Sequence, residues 1–422
     1  MFLKNHRHRK SVSSENSLGL VNGRVVLDSK VADCDLFIKD GVIAKIGADE
    51  GERNRIDASG MFILPGLINA HAHLGETVFK DLVSFKRLNE YIRKTDAINI
   101  KLQSRARFVR EASCYMSIAD FITEGITTVC AARCTVECDN AGLRAFSGYI
   151  FMKSKKLGYF IEDFEDAFCN YINNIQISKL SKPIIFLHSI RYTDSDVLEL
   201  IGRLRKAYKL PFTMHLSETN SEEVKVRKDF GCSSTELLNS YHLIDKDALL
   251  VHCCYASESD LQLIKNKRAN IVICPTSNKR LGNRIPQLKK LLDMGINTSI
   301  ATDGLATSLS QGLLTEYKYL TRLENIKMGN DSFATLTTNP AKALGIRAGV
   351  IGKGNLADLI LLRPEKGYKF NGNIPDLLSH SKIKYVIVNG KPILVMGRHT
   401  TLNLSKVTAK FDLARAMVSK TV

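Results

Sequence analysis

From Leu20 to Ile63, short apolar runs alternate with polar turns: LVNGRVVLDS, then DLFIKDGVIAKIG, then GMFILPG. The runs are rich in β-branched residues, and the Asn22-Gly23 and Asp40-Gly41 pairs between them are hairpin turn signals. The same texture returns near the C-terminus in ADLILLRP and IKYVIVNGKPILVMGRH, with an Asn389-Gly390 turn. Neither end is long enough to bury a core alone. The two are therefore expected to pair into one small discontinuous β-sandwich domain, built from residues 17–64 and from 351–422 with the C-terminal segment.

The stretch between them, 65–350, has a different rhythm. Apolar runs are followed by longer amphipathic stretches such as DSDVLELIGRLRKAY and ESDLQLIKNKR, with apolar residues at i, i+3, i+4 and i+7. Eight strands are expected: Leu67–His71, Thr127–Ala132, Ala145–Phe151, Pro183–His188, Phe212–His215, Ala248–His252, Ile271–Cys274 and Thr298–Ala301. His71 to Asp303 spans 232 residues in seven strand-to-strand steps, about 33 each, which is the size of a βαβ unit. This pattern predicts an α/β fold, a (β/α)8 TIM barrel carrying the discontinuous β-sandwich.

Composition narrows the setting. With 44% hydrophobic and 24% charged residues, the chain reads as a soluble globular protein with a sizeable core. No run of 18 apolar residues is present, so no membrane-spanning helix is expected. Residues 1–16 read as a disordered basic tail without an apolar stretch, which gives no secretory signal. Ten cysteines are too sparse for a disulfide framework, which suits a reducing, cytoplasmic compartment. Cys130, Cys134 and Cys138 recur every four residues without a CxxC pair, so packing on one helix-like face is expected rather than a metal cluster. The net charge of +17 would suit an anionic partner. The basic residues are scattered, however, apart from the tail and Lys153, Lys155 and Lys156.

A barrel makes a demand on chemistry, because functional residues belong at the C-terminal ends of its strands. Five of the ten histidines fall there: His71 with His73 just beyond it, His188, His215 and His252. Asp303 follows the last strand. His6-Arg7-His8 repeats the HxH spacing in the tail, where it has no such context. Three imidazoles and one carboxylate make an N/O set suited to one divalent ion, Zn²⁺ or alternatively Fe²⁺, with a position left for water. Such an ion lowers the pKa of bound water, and the water then needs a proton acceptor that is not itself a ligand. Glu218, three residues after His215, fits that need.

Together PGLINAHAHL, HLSE, VHC, CPTSN and ATDG, in this order and at these spacings, resemble the amidohydrolase superfamily. The closer resemblance is to its deaminase and chlorohydrolase branch, which includes methylthioadenosine/S-adenosylhomocysteine, guanine and cytosine deaminases and triazine hydrolases. The likeness covers about residues 18–400. It implies that His71, His73, His215 and Asp303 bind the metal and that Glu218 shuttles protons. It further implies that His252 orients the nucleophile and that Asp303 also takes a proton from the attacking water. Where relatives with two metals carry a bridging lysine on strand four, this chain has His188, which implies a mononuclear site and a substrate contact at His188. The chain departs from the family pattern in HSIRYTDSD, where Arg191 could meet an anionic or carbonyl group of the substrate. Asp96 is the nearest counterpart of an acid that binds ribose hydroxyls, and Tyr149 falls near an arginine that some relatives use for a substrate carboxylate.

The expected function is hydrolytic deamination of an aminated heteroaromatic ring, above all a purine or adenosine derivative. Dechlorination, or amide or ring hydrolysis, of a related heterocycle is the alternative. A metal-free scaffold conflicts with the full ligand set. Nucleic acid lacks a recognition motif and is not an expected partner. A small-molecule substrate is expected, no membrane partner is, and a homodimer is left open.

Overall fold

A computed structural model describes residues 17–27, 30–47, 52, 54–154, 160–175, 178 and 180–422. The basic tail, and Lys155 and Lys156 of the charge cluster, lie outside the described residues.

The eight expected strands form one parallel sheet in strict chain order: Leu67–Ala72, Ile126–Ala132, Arg144–Phe151, Ser181–Ser189, Phe212–Leu216, Ala248–His252, Asn270–Ile273 and Thr298–Ile300. A parallel bridge between Ala72 and Asp303 joins the last strand to the first and closes the barrel. Period-two alternation divides the strand residues between two cores. Leu249, Val251, Ile184, Phe146 and Val272 cluster in the barrel interior, while Ala248, Leu250, Ile185, Ala145 and Ile271 pack outward among the helices. Several of the barrel helices start at capping residues. Asp194 accepts from the Val197 amide ahead of Ser195–Tyr208, and Ser257 forms a capping box ahead of Glu258–Asn266.

The chain ends build the two sheets of the expected sandwich. Ser17–Val21, Asp35–Lys39, Val42–Gly47 and Arg55–Asp57 form a four-stranded sheet from the N-terminal end alone. Seven strands from both ends form the other, in which Phe62–Pro65 pairs with Leu359–Pro364. Leu20, Ile38, Ile63, Leu359, Leu361 and Ile387 fill the sandwich core between the sheets, and the alternate residues Phe62, Leu64, Ile360, Leu362 and Val386 face the barrel. Asp40-Gly41 and Asn389-Gly390 have positive φ at both residues, as a type I′ hairpin turn requires. These two turns touch, because a Cβ on Gly41 would stand 2.3 Å from Asn389 Oδ1. Across the barrel–sandwich boundary, buried Arg144 on the third barrel strand grips Asp358 through two hydrogen bonds of 2.6 and 3.0 Å. The C-terminal helix Leu404–Ser419 returns to the barrel, with Ala414 and Val418 packed among Val78, Phe79 and Tyr91.

The cysteine spacing did not mean one helical face. Cys130 lies on the second barrel strand and points into the barrel interior, while Cys134 caps helix Thr135–Ala141 and Cys138 lies within it. Cys134 and Cys138 pack outside the barrel with Cys114, whose sulfur is 3.2 Å from that of Cys134. A strand-to-helix junction falls inside the repeat, so the four-residue spacing does not act as a helical period. Among the described residues, no helix is long and apolar enough to cross a membrane.

Candidate metal centre

Barrel closure and the site are built from the same residues. The Asp303 amide donates to the His71 carbonyl at 3.2 Å, and the His73 amide donates to the Asp303 carbonyl at 3.4 Å. The closure of the first strand on the last therefore brings the backbones of these three residues together. Ser217, His252, Cys253 and Asp303 all adopt positive φ, a conformation that costs non-glycine residues of order 1–3 kcal/mol each and clusters at functional sites.

His215 Nε2 lies 3.1 Å from both His71 Nε2 and His73 Nε2, and Asp303 Oδ1 lies 3.4 Å from each of the latter two. Hydrogen bonds can join only some of these four converging atoms in pairs, whereas one cation between them would satisfy all four lone pairs. The spacing matches such a cation, since a tetrahedron with arms of about 2.0–2.1 Å has edges of about 3.3–3.4 Å. Electrostatics agree with this. Burial pushes His71 down to about 4 and His215 well below its ordinary value, so both present lone pairs at neutral pH. Burial would raise Asp303, but the hydrogen bond with His71 and the fields of His73 and His252 hold it well below the usual carboxylate range. The set fits one divalent ion.

Further groups hold these candidate ligands in place. Asp303 Oδ2 accepts from the Ser277 hydroxyl and, at 3.4 Å, from Thr307. His73 Nδ1 faces Glu76 at 3.5 Å, and Glu76 accepts from the Tyr91 hydroxyl at 2.6 Å. A carboxylate behind a ligating imidazole fixes its orientation and raises its basicity. Ser277 and Asn278 belong to the CPTSN segment, yet their spacing alone gives no hint of their partners. Glu76 stands three residues after His73, a proximity that was available in the sequence.

His252 Nδ1 meets Asn278 Oδ1 at 2.7 Å. Asparagine oxygen is an acceptor only, so Nδ1 carries the proton and Nε2 is left with a lone pair. That Nε2 lies 3.9 Å from Glu218 Oε1. Burial, reinforced by Asp303, pushes Glu218 up to about 8. His188 is half-buried, with its ring centroid 4.9 Å from those of His215 and Tyr192. His188 is not in the group of converging ligand atoms, which consists of His71, His73, His215 and Asp303. Asp96 is on the helix Leu88–Leu102, and after burial its charge is the next cause raising the Tyr192 phenol. Tyr149 packs its ring against Phe151 and Phe164. Arg191 donates to Asn89, to Thr219 at 3.1 Å, and lies 3.6 Å from buried Glu222. A cavity of about 550 Å³ opens beside Thr219, lined also by Arg87, Asn89, Tyr255 and Leu281.

Comparisons with known proteins agree on the family and the fold, with both deaminases and an atrazine chlorohydrolase among the similar structures. The amidohydrolase family profile matches residues 62–393. The 5-methylthioadenosine/S-adenosylhomocysteine deaminase of Pyrococcus furiosus is 29% identical, over 92% of this chain and 98% of its own. The 5'-deoxyadenosine deaminase of Methanocaldococcus jannaschii is 28% identical, over 90% of this chain and 95% of its own. Among solved structures, a zinc-bound adenosine deaminase from Xanthomonas campestris superposes with a TM-score of 0.87 at 19% identity, covering 96% of this chain and 99% of that one. At that identity the likeness speaks for the fold.

Proposed function

The chain belongs to the amidohydrolase family, and on that premise we propose that it is a mononuclear metal-dependent deaminase of a purine nucleoside derivative, releasing ammonia. The observation that carries this reading is the convergence of three Nε2 atoms and Asp303 Oδ1 at 3.1–3.4 Å, beside a buried glutamic acid that is not one of them. The long curated relatives named for adenosine derivatives support deamination over dechlorination.

His71, His73, His215 and Asp303 would hold a divalent ion, Zn²⁺ or alternatively Fe²⁺, and it would lower the pKa of a water molecule toward neutrality. The chain's residues handle the protons. Glu218 is protonated near neutrality and within reach of His252, so it can give its proton to the ring nitrogen beside the amine-bearing carbon. A carboxyl tuned close to working pH is suited to both giving and retaking a proton. His252, held by Asn278, turns its Nε2 lone pair toward Glu218 and accepts a hydrogen bond from the attacking water. Asp303 takes one proton from that water and passes it to the leaving amine, and the second water proton returns to Glu218 as the carbonyl forms. The carbon–oxygen bond forms, the carbon–nitrogen bond breaks, and ammonia departs. Asp96, whose charge acts on Tyr192 beside His188, is the group we assign to ribose hydroxyls.

The test is a panel of adenosine, 5'-deoxyadenosine, 5'-methylthioadenosine, S-adenosylhomocysteine, aminofutalosine, guanine, cytosine and a chlorotriazine, scored for ammonia and chloride. Ammonia from an adenosine derivative is expected. Chloride release alone would establish the dechlorinating alternative.

A further inference from the structure

We propose that Arg191 is a positioning residue for Glu218: it ties the loop carrying that glutamate to the first turn of the helix above the barrel mouth, and its charge is engaged within the protein rather than by substrate. Only the activity arm of the test below rests on the deaminase reading.

Four observations carry the inference. First, Arg191 follows the fourth barrel strand in a short 3₁₀ turn, Ile190–Tyr192, and its guanidinium spans three segments. One end donates to Asn89 in the first turn of Leu88–Leu102. The other donates to Thr219 Oγ1 at 3.1 Å and lies 3.6 Å from Glu222 Oε2. Second, Thr219 is the residue after Glu218, and it also caps helix Asn220–Phe230 by accepting from the Glu222 amide at 3.2 Å. The Glu218 backbone is thereby held one bond away from a fixed cap. Third, the Glu222 side chain is 1% exposed, and after burial the Arg191 charge is the largest influence on its carboxyl, with the Glu218 backbone amide also contributing. Arg191 is its one ion-pair partner among the described residues. Withdrawing Arg191 to meet a substrate anion would leave a buried carboxyl without its cation, which costs free energy whether the group stays charged or takes up a proton. Fourth, Arg87, Asn89, Thr219 and Tyr255 border one cavity, which places the helix's first turn among loops that follow several barrel strands. The Asn89–Arg191–Thr219 chain thus connects the covering helix to the loop that bears the proton carrier.

A substrate-binding arginine and a positioning arginine differ in what they change. The experiment measures kcat and KM of zinc-loaded wild type, Arg191→Ala, Arg191→Lys and Glu222→Gln with 5'-methylthioadenosine, which has an uncharged tail, and S-adenosylhomocysteine, which has a carboxylate. Thermal unfolding of the same set and of Arg191→Ala/Glu222→Gln runs alongside. We expect Arg191→Ala to lower kcat roughly 10- to 100-fold for both substrates with KM little changed, the scale of a catalytic group displaced by about 1 Å. Arg191→Lys should restore part of kcat by keeping the charge. The double variant should lose less stability than the two single losses combined, because the two residues act as a pair. A rise in KM confined to S-adenosylhomocysteine, or unchanged kinetics, would overturn the proposal. Additive stability losses would overturn it as well. If wild type deaminates no compound of the panel, the deaminase reading fails and the stability cycle alone decides the role of Arg191. Should Arg191→Ala not fold, Arg191→Lys and Glu222→Gln supply the same comparison of kcat against KM.

Discussion

Replacing Glu218 with glutamine is expected to stabilise the metal-free protein while removing its activity. The carboxyl is fully buried and titrates at about 8 instead of 4.5, with burial as the first cause and Asp303 as the second. The folded value lies above the unfolded one, so the fold favours the neutral acid. Below about pH 4.5 the group is protonated in both states and costs nothing. As pH rises from 4.5 toward 8 the unfolded chain ionises and the folded protein does not, so stability is lost across that window. At about 1.36 kcal/mol per unit, the loss is roughly 3 kcal/mol at pH 7 and roughly 5 above pH 8. Glutamine does not titrate, so the variant should match wild type in acid and exceed it increasingly toward alkaline pH. The assay is urea unfolding of both proteins with a chelator at about pH 4.5, 7 and 8.5. Parallel stabilities across that range, or a variant less stable at the alkaline end, would refute the burial argument. With metal restored, the same variant should lose roughly 10²–10⁴ in turnover.

Other substitutions test neighbouring parts of the structure. Asp303→Asn removes the one anionic ligand, so it should release metal on dialysis and lose activity in parallel, both measured on the same sample. Asn278→Ala frees the His252 ring and should lower kcat roughly 10- to 100-fold, the usual scale for a group orienting a site residue, with metal content unchanged. Asp358→Ala strands buried Arg144 and should cost about 3–5 kcal/mol in chemical denaturation, while Arg144→Met with Asp358→Leu should recover most of it.

The barrel was legible because its strands are buried on both faces. Runs such as ALLVH and NIVI are continuous apolar stretches, and the observed bounds differ from the expected ones by at most a few residues. Their ends were marked by His71, His188, His215 and His252, residues that are uncommon elsewhere in the chain. What escaped were pairings between distant polar residues. Arg144 and Asp358 are 214 positions apart, and Ser277 and Asn278 find Asp303 and His252 26 positions away. Spacing within one segment carries no information about such partners. Cys130, Cys134 and Cys138 misled for a related reason, since a period has meaning only within a single element. The strand order within the sandwich was also hidden, because short strands of one texture do not reveal which neighbour each pairs with.

Stepwise addition of zinc to metal-free protein, with ammonia release from 5'-methylthioadenosine recorded at each step, joins the ligand geometry to the chemistry in one curve. Activity should rise linearly and break at one ion per chain, with Glu218→Gln binding the same amount of metal and staying inactive. Full activity in the presence of chelator, or a break at two ions per chain, would contradict a single ion held by His71, His73, His215 and Asp303.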